Sequence, residues 1–459
     1  MRKLARFILL CGLSAVSSGV YAGDDVLIRP MPSSWEYSEG VGQTLPSEDG
    51  WWRRFDDPVL DSLISMGESA NLDIAMAYRR MEAASRQMAV ARASYYPTVD
   101  LSAGYTRQRQ NGAGSSRWAL GASASWQIDV FGRVTASVKQ RKAQYKASRA
   151  EWIGSMVSMA GDIASTYIQL RVWQAELAVA KRHAAVQDSI ASLVEARFDC
   201  GLAAKPQLAQ AWSQLHSIKA SVPQLETSIA TAISSLSLLT GRYPDDVEAM
   251  LSAVRPLPDY RQLVVTGVPA ELLRRRPDIL AAEYELAAAA AAIGIAKKDF
   301  LPTLSLEGSV GVAASRPDDM FTNDGFYYSA APTLSWTLFD GFARRAGVAA
   351  ARDEMEVQIA NYNSIVINAY NEVRNALVQY RNCLRQIEEY EQATGNAREF
   401  LFLSLDLYTQ GLSPYSDVAT AQQNLLSYNN SLLVAHGDAL SALVSLYEAL
   451  GGGVDLSEM

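Results

Sequence analysis

The sequence predicts an α+β membrane protein in which a helix–strand–strand–long helix–helix unit occurs twice. Three observations carry this reading. Landmarks recur in order at a near-constant shift. Two proline-free runs far exceed the length of a globular helix. Pairs of alternating segments have about 10 residues each, the length of a tilted bilayer-crossing strand.

The repeat comes first, because it organises everything else. Asn71-Leu72-Asp73-Ile74 matches Arg276-Pro277-Asp278-Ile279 at a shift of 205, and the same shift carries Tyr96-Pro97-Thr98 onto Leu301-Pro302-Thr303. Farther on the shift is 210: Ser125-Trp126 falls on Ser335-Trp336, Gly201-Leu202 on Gly411-Leu412, and Leu236 and Gly241 on Leu446 and Gly451. The extra residues fit a loop, where insertions are tolerated.

In the first half, residues 67–94 are Ala- and Met-rich without proline, which favours a helix, and Pro97 stops it. Val99, Leu101, Ala103 and Tyr105 then alternate with Asp100, Ser102, Gly104 and Thr106, the period of a strand. Asn111 to Ser116 is a turn, and residues 118–128 resume extended character. From Val134 to Phe198 there is no proline, and apolar residues recur in steps of three, four and seven. That is a heptad-type helical stripe of roughly 100 Å, and it requires a bundle partner along its length. Gly201 ends it, and a second helix runs from about Lys205 to Thr240.

The second half repeats the plan. A helix at 277–298 contains six consecutive alanines from Ala287 to Ala292, which permit close backbone approach. Leu304, Leu306, Gly308 and Val310 begin a strand, Ser315 to Gly325 is turn-like, and Tyr327 to Phe339 forms the next strand. The expected organisation is a signal peptide at 1–22, a first repeat at 23–241, a connector at 242–270, a second repeat at 271–451 and a tail at 452–459. The first repeat holds a hairpin at 98–128, a long helix at 133–200 and a helix at 202–240. The second holds a hairpin at 303–339, a long helix at 342–410 and a helix at 412–450, with Pro414 in its first turn.

The N-terminus reads as a secretory signal. Arg2, Lys3 and Arg6 precede a short apolar run, and Val20-Tyr21-Ala22 suits cleavage after Ala22. Leu10 before Cys11 does not fit a lipid-attachment motif, so an unlipidated start at Gly23 is expected. Removing the signal takes three of 41 basic residues and none of 49 acidic ones, moving the net charge from −8 to −11. That balance argues against a nucleic-acid partner. Cys200 and Cys383 show no framework spacing. His183, His216 and His436 are isolated, so neither a metal nor a cofactor is expected. No catalytic motif occurs, which argues against an enzyme. Arg274-Arg275-Arg276 reads as a structural patch at a helix entry, with Asp278 favoured by the helix dipole; an anion site is the alternative.

Four strands in one exported chain cannot close a barrel alone, because common barrels begin at about eight strands. Open edges are not tolerated in lipid. The strands must therefore pair with other copies, and a trimer supplies about twelve.

The residues also resemble a known family. Ser125-Trp126-Gln127-Ile128-Asp129-Val130-Phe131-Gly132-Arg133 and Trp336-Thr337-Leu338-Phe339-Asp340-Gly341 resemble the strand-to-helix junctions of TolC-like outer-membrane factors. Leu272 to Ile279, followed by Ala281-Ala282-Glu283, is similar to the OprM/NodT branch, as are Phe300 to Leu304 and Tyr408 to Leu412. The resemblance implies a homotrimer with a twelve-stranded outer-membrane β-barrel continuous with a long α-helical periplasmic barrel. It implies docking to a periplasmic adaptor and, through it, to an inner-membrane pump. Gly201, Leu202, Gly411 and Leu412 then mark adaptor-binding tips as well as helix ends. Asp417, Tyr408 and Leu412 help close the periplasmic aperture, with Gln207 and Phe198 at the first-repeat equivalents of Asp417 and Tyr408. Trp126, Asp129, Gly132, Trp336, Asp340 and Gly341 form the junctions. The implied role is an exit duct for small molecules such as drugs or metals. A TolC-type duct for polypeptide secretion is the alternative, and a poreless exported scaffold is disfavoured by the strands.

Overall fold

A computed structural model describes residues 50–110, 113–258 and 276–452. The expected signal peptide and its cleavage site, Cys11, Asn111 and Gly112 of the expected turn, connector residues 259–270, Arg274, Arg275 and most of the tail lie outside the described residues. Ala113 to Ser116, expected in that turn, instead pair with Gln110 to Arg107 as the start of a strand, so the turn is tighter than its glycine- and serine-rich sequence suggests.

The chain enters through a short 3-10 turn, Trp51–Phe55, and helix α1, Pro58–Ala70. Asp57 caps α1 by accepting the Val59 N–H at 2.9 Å, and Pro58 starts it where no donor is lost. Helix α2, Leu72–Ala93, follows at once. The single helix expected over 67–94 is therefore two. Asn71 has extended backbone, its side chain accepts the Ile74 N–H at 2.9 Å, and its amide donates to the Leu239 carbonyl at 2.8 Å. An asparagine tied to a distant helix end outweighs the local helix preference.

Strands β1, Thr98–Gln110, and β2, Ala113–Ile128, form the first hairpin. The long helix α3, Arg133–Asp199, has 67 residues and spans roughly 100 Å. It turns into α4, Lys205–Leu239, of 35 residues. The region read as a connector contains a helix, α5, Pro244–Leu251, started by proline and by Asp245 and Asp246 in its first turn. Helix α6, Pro277–Lys298, leads to β3, Thr303–Ala314, and β4, Phe326–Ser335. Helix α7, Ala343–Thr409, again has 67 residues, and α8, Tyr415–Ala449, again has 35. Pro414 is the N-cap of α8 rather than a residue of its first turn.

The strands make one antiparallel sheet in the order β1-β2-β3-β4, so β1 and β4 are its open edges. The register sorts the side chains into two faces. Asp100, Ser102, Thr106, Ser123, Gln127, Ser305, Glu307, Ser309 and Thr333 share one face; Val99, Leu101, Leu120, Ala122, Ile128, Leu304, Val310, Val312 and Leu334 share the other. On the apolar face Tyr105, Trp118 and Tyr328 cluster toward the loop end and Trp126 toward the helix end. Strand β4 stops at Ser335, short of the expected Phe339. Its last partner is Thr303, which follows Pro302, and its other edge is open, so residues beyond Ser335 have no ladder to join.

The helices bury two main cores. One, midway along α3, gathers Leu60, Leu63, Ile64, Ile163, Tyr167, Leu170, Val373, Leu440 and Val444. Beside it Tyr167 donates to Asp57 at 2.5 Å. The buried Arg171 donates to Gln174 at 2.6 Å and to the Ala253 carbonyl at 2.6 Å, which ties the residues after α5 to the long helix. The second core lies at the helical tip: Ile190, Ala191, Val194, Ala211, Tyr408, Tyr415 and Val418.

Candidate functional site

Two regions carry the expected functional residues: the strand-to-helix junctions and the opposite tip.

At the first junction, Trp126 Nε1 donates to the Tyr95 carbonyl at 3.0 Å, which fixes the end of β2 against the end of α2. Asp129 accepts from Val134 N and Thr135 N, both at 2.9 Å, and from Thr135 Oγ1 at 2.7 Å, satisfying the orphan donors at the start of α3. Burial alone would raise the Asp129 pKa, but hydrogen bonds from Thr135 and Val134 and the charge of Lys298 outweigh it and hold it low. Gly132 has φ +74° and its carbonyl accepts Lys298 Nζ at 2.6 Å. A Cβ at Gly132 would stand 2.9 Å from that ammonium. Arg133 and Asp299 pair at 2.6 Å beside it.

The second junction repeats the design without the clasp. Trp336 Nε1 donates to the Phe300 carbonyl at 3.0 Å. Asp340 accepts Arg344 N at 3.2 Å and pairs with Arg344 Nε at 3.0 Å. Gly341 has φ +66° and Phe342 φ +72°, a conformation that a bulky side chain rarely adopts. Leu334, Trp336, Leu338, Phe339 and Phe342 are all exposed.

At the tip, α3 ends on Gly201 at φ +74°, with Gly201 N donating to Phe198 O at 2.8 Å and Leu202 N to Arg197 O at 2.8 Å. Helix α7 ends the same way at Gly411, φ +77°, with Leu412 N donating to Leu407 O at 2.9 Å. These are Schellman ends. Both leucines project, 69% and 71% exposed. Tyr408 instead lies in the tip core, edge-on to Tyr415 at 5.8 Å. Burial pushes its phenol pKa up, with Arg197 opposing. Asp417 is half-buried in the first turn of α8. Gln207 accepts the Ala204 N–H at 3.1 Å and so caps α4.

Sequence reasoning passed over Arg197. Its Nη1 donates to the Tyr408 and Thr409 carbonyls at 2.9 and 3.0 Å, and its guanidinium lies 4.7 Å from the Tyr408 ring centroid. It straps the end of α3 to the end of α7, a cation held between two helix C-termini. A basic residue in the last turn before Gly201 was the available signal. Among the described residues no group of three or more His, Cys, Asp or Glu side chains is placed to hold a metal ion.

A sheet polar on one face and apolar on the other, joined by capped turns to helices of roughly 100 Å, belongs to the outer-membrane export ducts. The sequence matches the family described as outer membrane efflux protein over residues 63–242 and 268–452, and the chain belongs to that family. Nodulation protein T of Rhizobium leguminosarum bv. trifolii is 29% identical over 454 residues, with 96% of each chain covered. The solvent efflux pump outer membrane protein SrpC of Pseudomonas putida is 29% identical over 451 residues, with 94% of each covered. A solved structure of the outer-membrane channel OprN superposes with a TM-score of 0.87 at 28% identity, covering 94% of this chain and 99% of that one. The protein is an outer-membrane efflux channel of a Gram-negative bacterium, with its helical part in the periplasm. Its family is made of channel proteins rather than enzymes.

Proposed function

We propose that three copies of this chain, each a tandem of two like units, close a twelve-stranded barrel in the outer membrane and a helical tube beneath it. The observation that carries this is the two-faced, two-edged sheet: its polar face suits a water-filled lumen, its apolar face suits lipid, and its open edges need partners. The equal lengths of α3 and α7, and of α4 and α8, support the tandem.

The tips at Gly201-Leu202 and Gly411-Leu412 dock a periplasmic adaptor, which couples the duct to an inner-membrane pump. Asp417 rings the narrow end, with Leu412 beside it and Tyr408 stiffening the wall from within. The cargo is small organic molecules or metals. The test is efflux in cells carrying a matching adaptor and pump. Gly411→Glu, which introduces a charge and a strained backbone at the tip, is expected to abolish efflux while trimers still reach the outer membrane. Normal resistance in that variant contradicts the tip assignment.

A further inference from the structure

The internal repeat predicts how one copy is sewn to the next, residue by residue. A shift of 205 carries β1 onto β3, and a shift of 210 carries β2 onto β4. These shifts turn the observed pair Thr98↔Ser125 into Thr303↔Ser335, and Tyr105↔Trp118 into Val310↔Tyr328, and both resulting pairs are also observed. The hairpins therefore share one register. The β2–β3 ladder then shows how the trailing strand of one unit meets the leading strand of the next: Ile128↔Leu304, Trp126↔Leu306 and Gly121↔Gly311.

From this we propose that β4 of one copy pairs antiparallel with β1 of a second copy in the register Leu338↔Val99, Trp336↔Leu101, Ala331↔Thr106 and Ser329↔Gln108. The inference rests on the trimer reading and specifies its seam.

Three observations support the register. Lumen residues meet lumen residues and lipid-facing residues meet lipid-facing ones; a one-residue slip would reverse every side chain. The Ala313 N–H donates to the Gly325 carbonyl at 2.7 Å, so odd-numbered β4 residues point their backbone groups at β3 and even-numbered ones at the open edge. Pro332 is even-numbered, so its missing donor spares the β3–β4 ladder and costs the seam one hydrogen bond, opposite Tyr105. The seam also accounts for where β4 ends. Trp126 to Ile128 of β2 are strand because β3 lies beside them, whereas Trp336 to Leu338 have no neighbour in one copy. Pairing with Leu101 to Val99 of the next copy extends β4 to Leu338 and covers exposed Leu338.

Cysteine cross-linking tests this in outer-membrane fractions, in a Cys200→Ser background because that thiol is free and exposed. Ala331 and Thr106 form a non-hydrogen-bonded pair at the seam, with Cα atoms about 4.5 Å apart, inside the range of a disulfide. Ala331→Cys with Thr106→Cys should give covalent dimers and trimers on mild oxidation, whereas each single variant should not. The slipped combinations Ala331→Cys with Gly104→Cys or Gln108→Cys place the cysteines about 7–8 Å apart and should yield roughly tenfold less product. Ser329→Cys with Gln108→Cys is an independent second pair, should the first disturb assembly. Native mass before oxidation separates the two claims. Trimers that cross-link best through a slipped pair, or through neither proposed pair, overturn the register alone. A monomer before oxidation overturns the trimer reading and the seam with it.

Discussion

Gly132 shows how much a single residue can be asked to do. Its positive φ turns the chain from sheet to helix, and its missing side chain lets Lys298 reach its carbonyl. Gly132→Ala should lower stability by about 1–2 kcal/mol from backbone strain alone, with the Lys298 clash adding to it; the thermal midpoint of detergent-purified protein reads this. Glu448 is a second residue with a measurable signature. Burial, reinforced by Asp162 and Glu372 and opposed by Arg276, raises its pKa from 4.5 to about 7. The folded state thus holds this proton more tightly than the unfolded chain. Its contribution is fully present below about pH 4.5 and is lost as pH rises through 7. Glu448→Gln should therefore flatten the decline in stability between those values, and at pH 8 it should raise the midpoint by about 2–4 °C. An unchanged pH profile would show that Glu448 is solvated. Asp417 stands out in the sequence only through the family resemblance. Three such carboxylates near the axis would concentrate cations, so Asp417→Asn should reduce cation selectivity and weaken block by trivalent ions in planar bilayers. No change in either would move the constriction elsewhere.

At the scale of elements, the long helices were legible because a proline-free heptad stripe admits few other structures, and their glycine ends were legible because Gly201 and Gly411 sit where a helix needs φ > 0. The strands were legible by alternation. What the sequence hid was long-range. Asn71 divides α1 from α2 through a bond to Leu239, a contact no local propensity contains. Helix α5 sat inside a proline-rich stretch that read as connector, though Pro244 is only its first residue. The Arg197 strap was invisible because its acceptors, the Tyr408 and Thr409 carbonyls, lie more than 200 positions away. That strap yields a prediction for the tip. Hydrogen bonds to a charged group are worth about 1.5–3 kcal/mol, and Arg197→Met keeps the stem while deleting them. The two hairpin ends should then separate more easily, and the resting conductance should rise. Unaltered conductance would mean that the tip core of Tyr408, Tyr415 and Val418 suffices to hold them.

For the whole molecule, the two hairpins stand side by side in one sheet, β1 and β2 beside β3 and β4. The first junction is clasped by Lys298 and Asp299 of the same chain, whereas the second leaves Phe339 and Phe342 exposed. Pores follow only from closure, and closure follows from edges that have nowhere else to go. The most direct measurement of that claim is electrical. Protein extracted from the outer membrane should have the mass of a trimer and, added to a planar bilayer, should produce discrete, stable conductance steps. A monomer that leaves the bilayer silent would contradict the account.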